Sequence, residues 1–311
     1  MKIKNFFKKN VIYIVVILEI ILFSILSSTF LNSGNILSIF RQVAVQGIVA
    51  VGMTFVILTG GVDLSIGGII ALTGVLCSNL MLSGIPIILA CLISIIVSSL
   101  VGVINAFFTH EFKLNSMIIT LATLQILKGI TYLWTGGIPV YGFDERFKIL
   151  GQGYVGPLPI PMIILIISYV VGGYILNKTA FGLKIYSIGG NEEASRLSGT
   201  NVRKMRYLSF IICAILTSIA GLVLLSRVNT AQPDAGIGYE MDVITAVVLG
   251  GVSMSGGEGN VVGVLGGVLA IGLLSNGMLQ LGVSEYVQWI TKGIVLLLAV
   301  SYDRISKRKK D

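Results

Sequence analysis

Few residues in this 311-residue chain could do chemistry, and their placement excludes most kinds. Cys77, Cys91 and Cys213 all stand inside apolar runs. An odd number without paired spacing argues against a disulfide framework or a metal site, and for small buried hydrophobes. The single histidine, His110, cannot supply a metal cluster. No G-x-x-x-x-G-K-[ST] loop occurs, so the chain carries no nucleotide engine of that type. Gly257-Glu258-Gly259 with Gly263 has the wrong spacing for a dinucleotide loop, and no βα unit surrounds it. No Ser/His/Asp or Cys/His set could meet near one membrane face, so no catalytic residue is expected. What remains is a handful of acids within apolar sequence (Glu19, Asp63, Asp242) and one polar island, Lys178 to Arg206.

That island holds six Lys or Arg and only two acids, Glu192 and Glu193. It predicts a short helix from Glu192 to Ser198. Asn191 can cap it, the two glutamates suit the positive end of its dipole, and Gly199 can close it in the left-handed conformation. About two turns are too short to be stable alone in water. One face carries Ala194, Leu197 and Ser198, small and apolar enough to enter a partner's groove. On local physics alone, docking to a partner and an ordinary helical loop between spans stand level.

The elements around these residues are set by composition. The chain is 55% hydrophobic and only 12% charged, with a mean hydropathy of +0.94. Soluble domains are nearer a quarter charged, so the expectation is an all-α polytopic membrane protein. The net charge is +8, and fifteen of 22 basic residues fall in three segments. These are the start (Lys2, Lys4, Lys8, Lys9), the island, and the end (Arg304, Lys307, Arg308, Lys309, Lys310). The positive-inside rule places all three in the cytoplasm, which requires an even number of spans. Basic charge that flanks spans, and forms no stripe on a soluble face, excludes a nucleic-acid partner.

Apolar runs predict spans over Val11–Leu31, Val43–Gly60, Ile66–Leu82, Ile85–Phe108, Ser116–Trp134, Met162–Asn177, Tyr207–Ser226, Val243–Gly251, Val261–Leu281 and Val287–Tyr302. The tally is about ten, or eight if the broken segments do not cross. The first run lacks a small-residue cleavage site and reads as a retained helix. Outer connections are expected at Thr135 to Pro161 and at Arg227 to Asp242, the latter outside or partly re-entrant. Gly61-Val62-Asp63-Leu64-Ser65 should interrupt a helix at membrane depth, which survives only where backbone is buried or lines a cavity. Asp63 is then a pathway residue, a cap on the N–H groups of Ser65 and Ile66, or both. The break has an echo, Gly60-Gly61-Val62-Asp63-Leu64-Ser65 recurring as Gly250-Gly251-Val252-Ser253-Met254-Ser255. Gly263 and Gly267 form a G-x-x-x-G suited to close helix approach.

Three stretches resemble bacterial simple-sugar ABC transporter permeases: GMTFVILTGGVDLSIGGIIALTG (Gly52 to Gly74), GGNEEASRLSGTNV (Gly189 to Val202) and AQPDAGIGYEMDVITAVVLGGVSMSGGEG (Ala231 to Gly259). The similarity runs from about Leu37 to the last span. It implies one transmembrane permease domain over residues 1–311, in a bacterial cytoplasmic membrane, with residues 178–206 as its cytoplasmic coupling loop. It further implies a cytoplasmic ABC ATPase that carries ATP and Mg, with no cofactor on this chain. An extracytoplasmic sugar-binding protein and a second permease copy complete the assembly. Glu192, Glu193, Ala194, Ser198 and Gly199 become the docking helix; with Asn191, Arg196 and Leu197 they form the ATPase-docking set. Ser195 and Thr200 depart from the family's usual residues and could tune that fit. Candidate pathway residues are Asp63, Ser65, Asn105, Gln125, Ser253 and Ser255. Ribose is the first substrate expectation; another sugar, the furanosyl quorum signal, a nucleoside, and an ion-coupled secondary carrier are the alternatives.

Overall fold

In the computed structural model the described residues are 11–308. The basic residues Lys2, Lys4, Lys8, Lys9, Lys309 and Lys310 lie outside them. The helices are α1 (Val11–Leu26), α2 (Ser33–Leu58), α3 (Ile66–Leu82), α4 (Ile87–Glu111), α5 (Ser116–Thr135), a short α6 (Ile149–Gln152) and α7 (Ile160–Lys178). They continue as α8 (Ala180–Gly190), α9 (Glu192–Leu197), α10 (Val202–Val228), α11 (Tyr239–Leu249), α12 (Val261–Gln280) and α13 (Glu285–Arg308). A two-residue hairpin, β1 (Tyr154–Val155) with β2 (Leu158–Pro159), is antiparallel. Among the described residues six helices are long and apolar enough to cross a membrane: α2, α4, α5, α7, α10 and α12. α1 and α3 are shorter apolar helices. The chain is an all-α membrane protein.

α2 and α10 pack together at the centre, with α3, α4 and α12 around them. α1, α4, α5, α7 and α13 turn large apolar side chains outward, among them Ile25, Ile88, Leu133, Val170 and Leu297. That is the surface lipid would cover, where burial gives no aqueous driving force and close small-residue packing decides. Such packing is explicit between α11 and α12. A Cβ on Gly267 would stand 1.9 Å from the Ala246 carbonyl oxygen, and one on Gly263 2.1 Å from that of Gly250.

Several expected boundaries move. α2 begins at Ser33, where Asn32 Oδ1 accepts from Gly34 N at 3.1 Å, and not at Val43. The added turns carry Arg41. Its guanidinium is held by Gln152 O (3.1 Å) and Tyr154 Oη (2.7 Å), which makes a charge tolerable inside the helix. α1 ends at Leu26, five residues early; α10 starts at Val202, five residues before Tyr207. α11 and α13 start earlier than the apolar runs, at Tyr239 and Glu285, because acids suit a helix N-terminus.

The cysteines also depart from expectation. Cys77 Sγ and Cys91 Sγ lie 4.0 Å apart across α3 and α4, a proximity their spacing did not suggest. Cys213 stays a buried small hydrophobe on α10.

Candidate functional site

The residues 178–206 gather at one end of the bundle with both helix breaks. Thr179 Oγ1 caps α8 by accepting from Gly182 N. Asn191 then ends α8 and caps α9, its Oδ1 accepting from Ala194 N at 2.9 Å. Gly199 closes α9 at φ +80°. Ala194, Leu197 and Ser198 face outward as the spacing predicts, Leu197 with 78% of its surface exposed. Ser195 points the other way: it is buried, and its hydroxyl meets Ser187 Oγ at 2.6 Å on α8. The expectation that Ser195 tunes a partner's fit is corrected, because it anchors α9 to its own chain. Glu192 pairs with Arg206 at the start of α10 (2.5 Å), and Glu193 with Arg196 on α9 itself (2.6 Å). The helix too short to stand alone is thus seated by a hydroxyl pair and an ion pair.

The first break is built by borrowed hydroxyls. α2 ends with Gly60 at φ +81°, and Gly61 N donates back to Val56 O. The extended backbone that follows is buried and would leave its donors unpaired, at a cost of about 1–3 kcal/mol each. Val62 N donates to Ser116 Oγ (3.0 Å) and Leu64 N to Thr120 Oγ1 (2.9 Å), both on α5. Asp63 is fully buried; its Oδ1 accepts from Ser65 N at 2.9 Å and Ser65 Oγ at 2.5 Å. Asn105 Nδ2 donates to Ser65 Oγ at 2.8 Å, and Thr123 Oγ1 donates to Asn105 Oδ1 at 2.8 Å. Three pathway candidates, Asp63, Ser65 and Asn105, therefore form one buried network. Asp63 acts on Ser65 rather than on Ile66, and α3 itself starts without a side-chain cap.

The second break runs from Gly250 to Asn260. Gly251 has φ +84° and Val252 N donates to Val247 O, the same turn as Gly60 and Gly61 at the end of α2. The structural register of the echo is therefore Gly60 with Gly251, one residue from the alignment the sequence suggests. Ser253 is buried and Ser255 exposed within this turn; Ser255 N donates to Ser253 Oγ at 3.2 Å. The two breaks touch: Gly257 N donates to Leu58 O at 3.0 Å. Gly189 of α8 packs into that junction so closely that a Cβ there would lie 2.0 Å from Leu58 O and 2.2 Å from Gly257 N. No sequence signal separates Gly189 from Gly190, whose Cβ would meet nothing within 4 Å. A cavity of about 550 Å³ opens beside it, between Gly60, His110, Asn115, Glu192 and Arg206.

At the opposite end the two connecting segments form a folded platform. Val140 and Ala231 exchange backbone hydrogen bonds at 2.9 Å. Ser226 Oγ donates to Phe147 O (2.6 Å) and accepts from Gly151 N (2.7 Å). Asp144 caps the turn at Glu145–Lys148 and pairs with Arg146, whose hydrogen bond holds its carboxyl below the usual carboxylate range. From Ala231 the chain dips inward. Pro233 O accepts from Thr131 Oγ1 at 3.1 Å, and Gly236 stacks on Gly67 at the first turn of α3, where neither residue has room for a Cβ. Gln125 stands apart from the Asp63 network. It lines a cavity under this dip with Lys128, Asp234 and Glu240. The chemistry-bearing acid that sequence reasoning missed there is Glu240, two residues before the acid it singled out.

Asp242 is paired: Lys292 Nζ of α13 donates to its Oδ2 at 2.7 Å, and Gln46 Nε2 donates at 3.1 Å.

Comparison with known proteins agrees with this geometry. Residues 35–300 match the family described as Branched-chain amino acid transport system / permease component. The chain is 43% identical over 287 residues to the ribose import permease protein RbsC of Bacillus subtilis (strain 168), covering 92% of this chain and 89% of that one. It is 40% identical over 300 residues to the protein of the same name in Escherichia coli (strain K12), covering 95% and 93%. It is 35% identical over 299 residues to the L-arabinose ABC transporter permease protein AraH of Azospirillum brasilense, covering 95% and 88%. No solved structure matches the chain. Relatives that are transport subunits, together with broken helices joined to an outward-facing loop helix, make this a transport protein and not an enzyme, and the chain belongs to the Branched-chain amino acid transport system / permease component family.

Proposed function

We propose that this chain is the membrane-spanning permease subunit of an ATP-driven, binding-protein-dependent importer of a simple sugar, ribose first. The observation that carries the reading is α9: an exposed helix with Leu197 at its tip, seated on the chain at Ser195 and Glu192, and continuous with a loop wedged between both breaks. Motion imposed on α9 by a cytoplasmic ATPase would reach the broken helices through Gly189. The names of the ribose permease relatives supply the substrate. Asn191, Glu192, Glu193, Ala194, Arg196, Leu197, Ser198 and Gly199 form the docking set, with Leu197 and Ala194 entering the partner's groove. ATP and Mg belong to that partner.

The crossing order supports ten spans in one domain. α11 together with the dip before it makes one crossing, and α1, α2, α3, α4, α5, α7, α10, α12 and α13 make the other nine. Ten is even, so both termini share the cytoplasmic side with α9. The platform at residues 136–159 and 229–238 receives the sugar-loaded binding protein. A second copy of the chain completes the pore in a bacterial cytoplasmic membrane. Against an ion-coupled carrier, Asp242 is neutralised by Lys292, and Asp63 Oδ1 is held by the backbone and hydroxyl of Ser65. Pull-down of tagged protein from its native membrane tests the proposal. A cassette ATPase should accompany the wild type and be lost with Glu193→Lys or Leu197→Asp. Absence of any ATPase in mild detergents would overturn it. Competition of labelled ribose uptake by arabinose, xylose and nucleosides then fixes the substrate.

A further inference from the structure

The cavity under the dipping segment measures about 190 Å³, against the ~10–15 Å³ that holds one water. Its walls are unusual for their unspent hydrogen-bonding capacity. Glu240 Oε2 is buried with no partner, and its Oε1 accepts a 3.2 Å bond from Gly238 N. Lys128 makes no ion pair among the described residues, its ammonium lying 6.0 Å over the Tyr132 ring. Gln125 on α5 and Asp234 in the dip, both exposed, also line this space. Two acidic residues, a glutamine and a lysine thus line one cavity, with no ion pair between them among the described residues. A buried carboxylate oxygen left without a donor costs free energy. The backbone beside it is tightly packed: neither Gly67 at the first turn of α3 nor Gly236 in the dip has room for a Cβ.

We infer that this cavity is a resting site for a small polyhydroxylated solute inside the permease, with Glu240 accepting a hydroxyl pair and Gln125 and Lys128 completing the ring contacts. Carboxylates accept from hydroxyls, and amides and ammonium groups donate to them, so the donor set suits a neutral polyol. A dicarboxylate would meet two like charges, and an apolar amino-acid side chain would leave Glu240 unsatisfied. The absence of an aromatic platform keeps the site weak, as a transit point requires. The inference rests on the importer reading. It places sugar selection partly in the permease, at residues joined to the α3 break.

The test uses the whole transporter in proteoliposomes, with its ATPase and a ribose-loaded binding protein. Glu240→Gln should keep ATP hydrolysis stimulated by the binding protein while ribose flux falls about ten- to a hundredfold, the range for one lost hydrogen bond to a charged group. Gln125→Cys should be modified by a hydrophilic methanethiosulfonate reagent, modification should abolish the remaining flux, and ribose should slow it severalfold. The wild type, with its own three cysteines, is the control for background reaction. Glu240→Gln at wild-type flux, or a thiol at 125 whose modification neither blocks flux nor responds to ribose, overturns the site. Where Glu240→Gln fails to assemble, the Gln125→Cys result decides alone. A wild type without stimulated hydrolysis under any sugar overturns the importer reading instead, and the assignment with it.

Discussion

Gly189→Ala should uncouple the loop from the breaks, and the structure says by how much. The new methyl carbon would start 2.0 Å from Leu58 O and 2.2 Å from Gly257 N, with the Gly256 carbonyl carbon at 2.8 Å. Ordinary contact begins near 3.4 Å, so backbone on two separate segments has to retreat by more than an ångström. None of these neighbours is the end of a flexible side chain. The Gly257 N to Leu58 O hydrogen bond, 3.0 Å, links the two breaks and is lost first. Overpacking of this kind costs about 1–3 kcal/mol, and the lost bond adds about 1 kcal/mol, giving a destabilisation of roughly 2–4 kcal/mol. The assay pairs sugar uptake with ATPase co-purification and a detergent melting curve. Uptake and melting temperature should fall while the ATPase still binds, since α9's outer face is untouched. Gly190→Ala is the matched control, with open space for its Cβ. Equal behaviour of the two variants would refute the junction.

Other perturbations read other parts of the structure. Lys292→Leu leaves Asp242 in a largely buried site with only Gln46 as donor and should cost about 3–5 kcal/mol in a melting measurement, whereas adding Asp242→Leu should recover most of it. Asp63→Ala removes two hydrogen bonds to a buried carboxylate, a loss of about 3–5 kcal/mol, and Asp63→Asn should be milder because one acceptor oxygen remains. Unchanged stability in Asp63→Ala would mean the Ser65–Asn105 network stands without it. Mild oxidation should join Cys77 to Cys91, seen as two thiols lost from maleimide counting after denaturation; three reactive thiols would show that α3 and α4 never bring them into bonding geometry.

The sequence carried the class of protein, since hydropathy and sparse charge leave a bundle of apolar helices as the economical solution in lipid. It also carried the capped helix at 192–197, because Asn191, Glu192, Glu193 and Gly199 act over one or two turns and report locally. The breaks were legible for the same reason: paired glycines beside an acid cannot continue a helix. Span ends were less so, because Arg41 is tolerated only through Gln152 and Tyr154, more than a hundred residues away. What only the tertiary structure decided is which groups meet. Ser195 faces inward because Ser187 is there to receive it. Gly189 is sterically critical and Gly190 is not, through neighbours from two distant breaks. Glu240, one acid among several in its motif, becomes the unpaired group of a cavity through the dip of its segment onto Gly67. Short-range hydrogen bonding and period are written along the chain; long-range pairing depends on packing distances that the one-dimensional order does not contain.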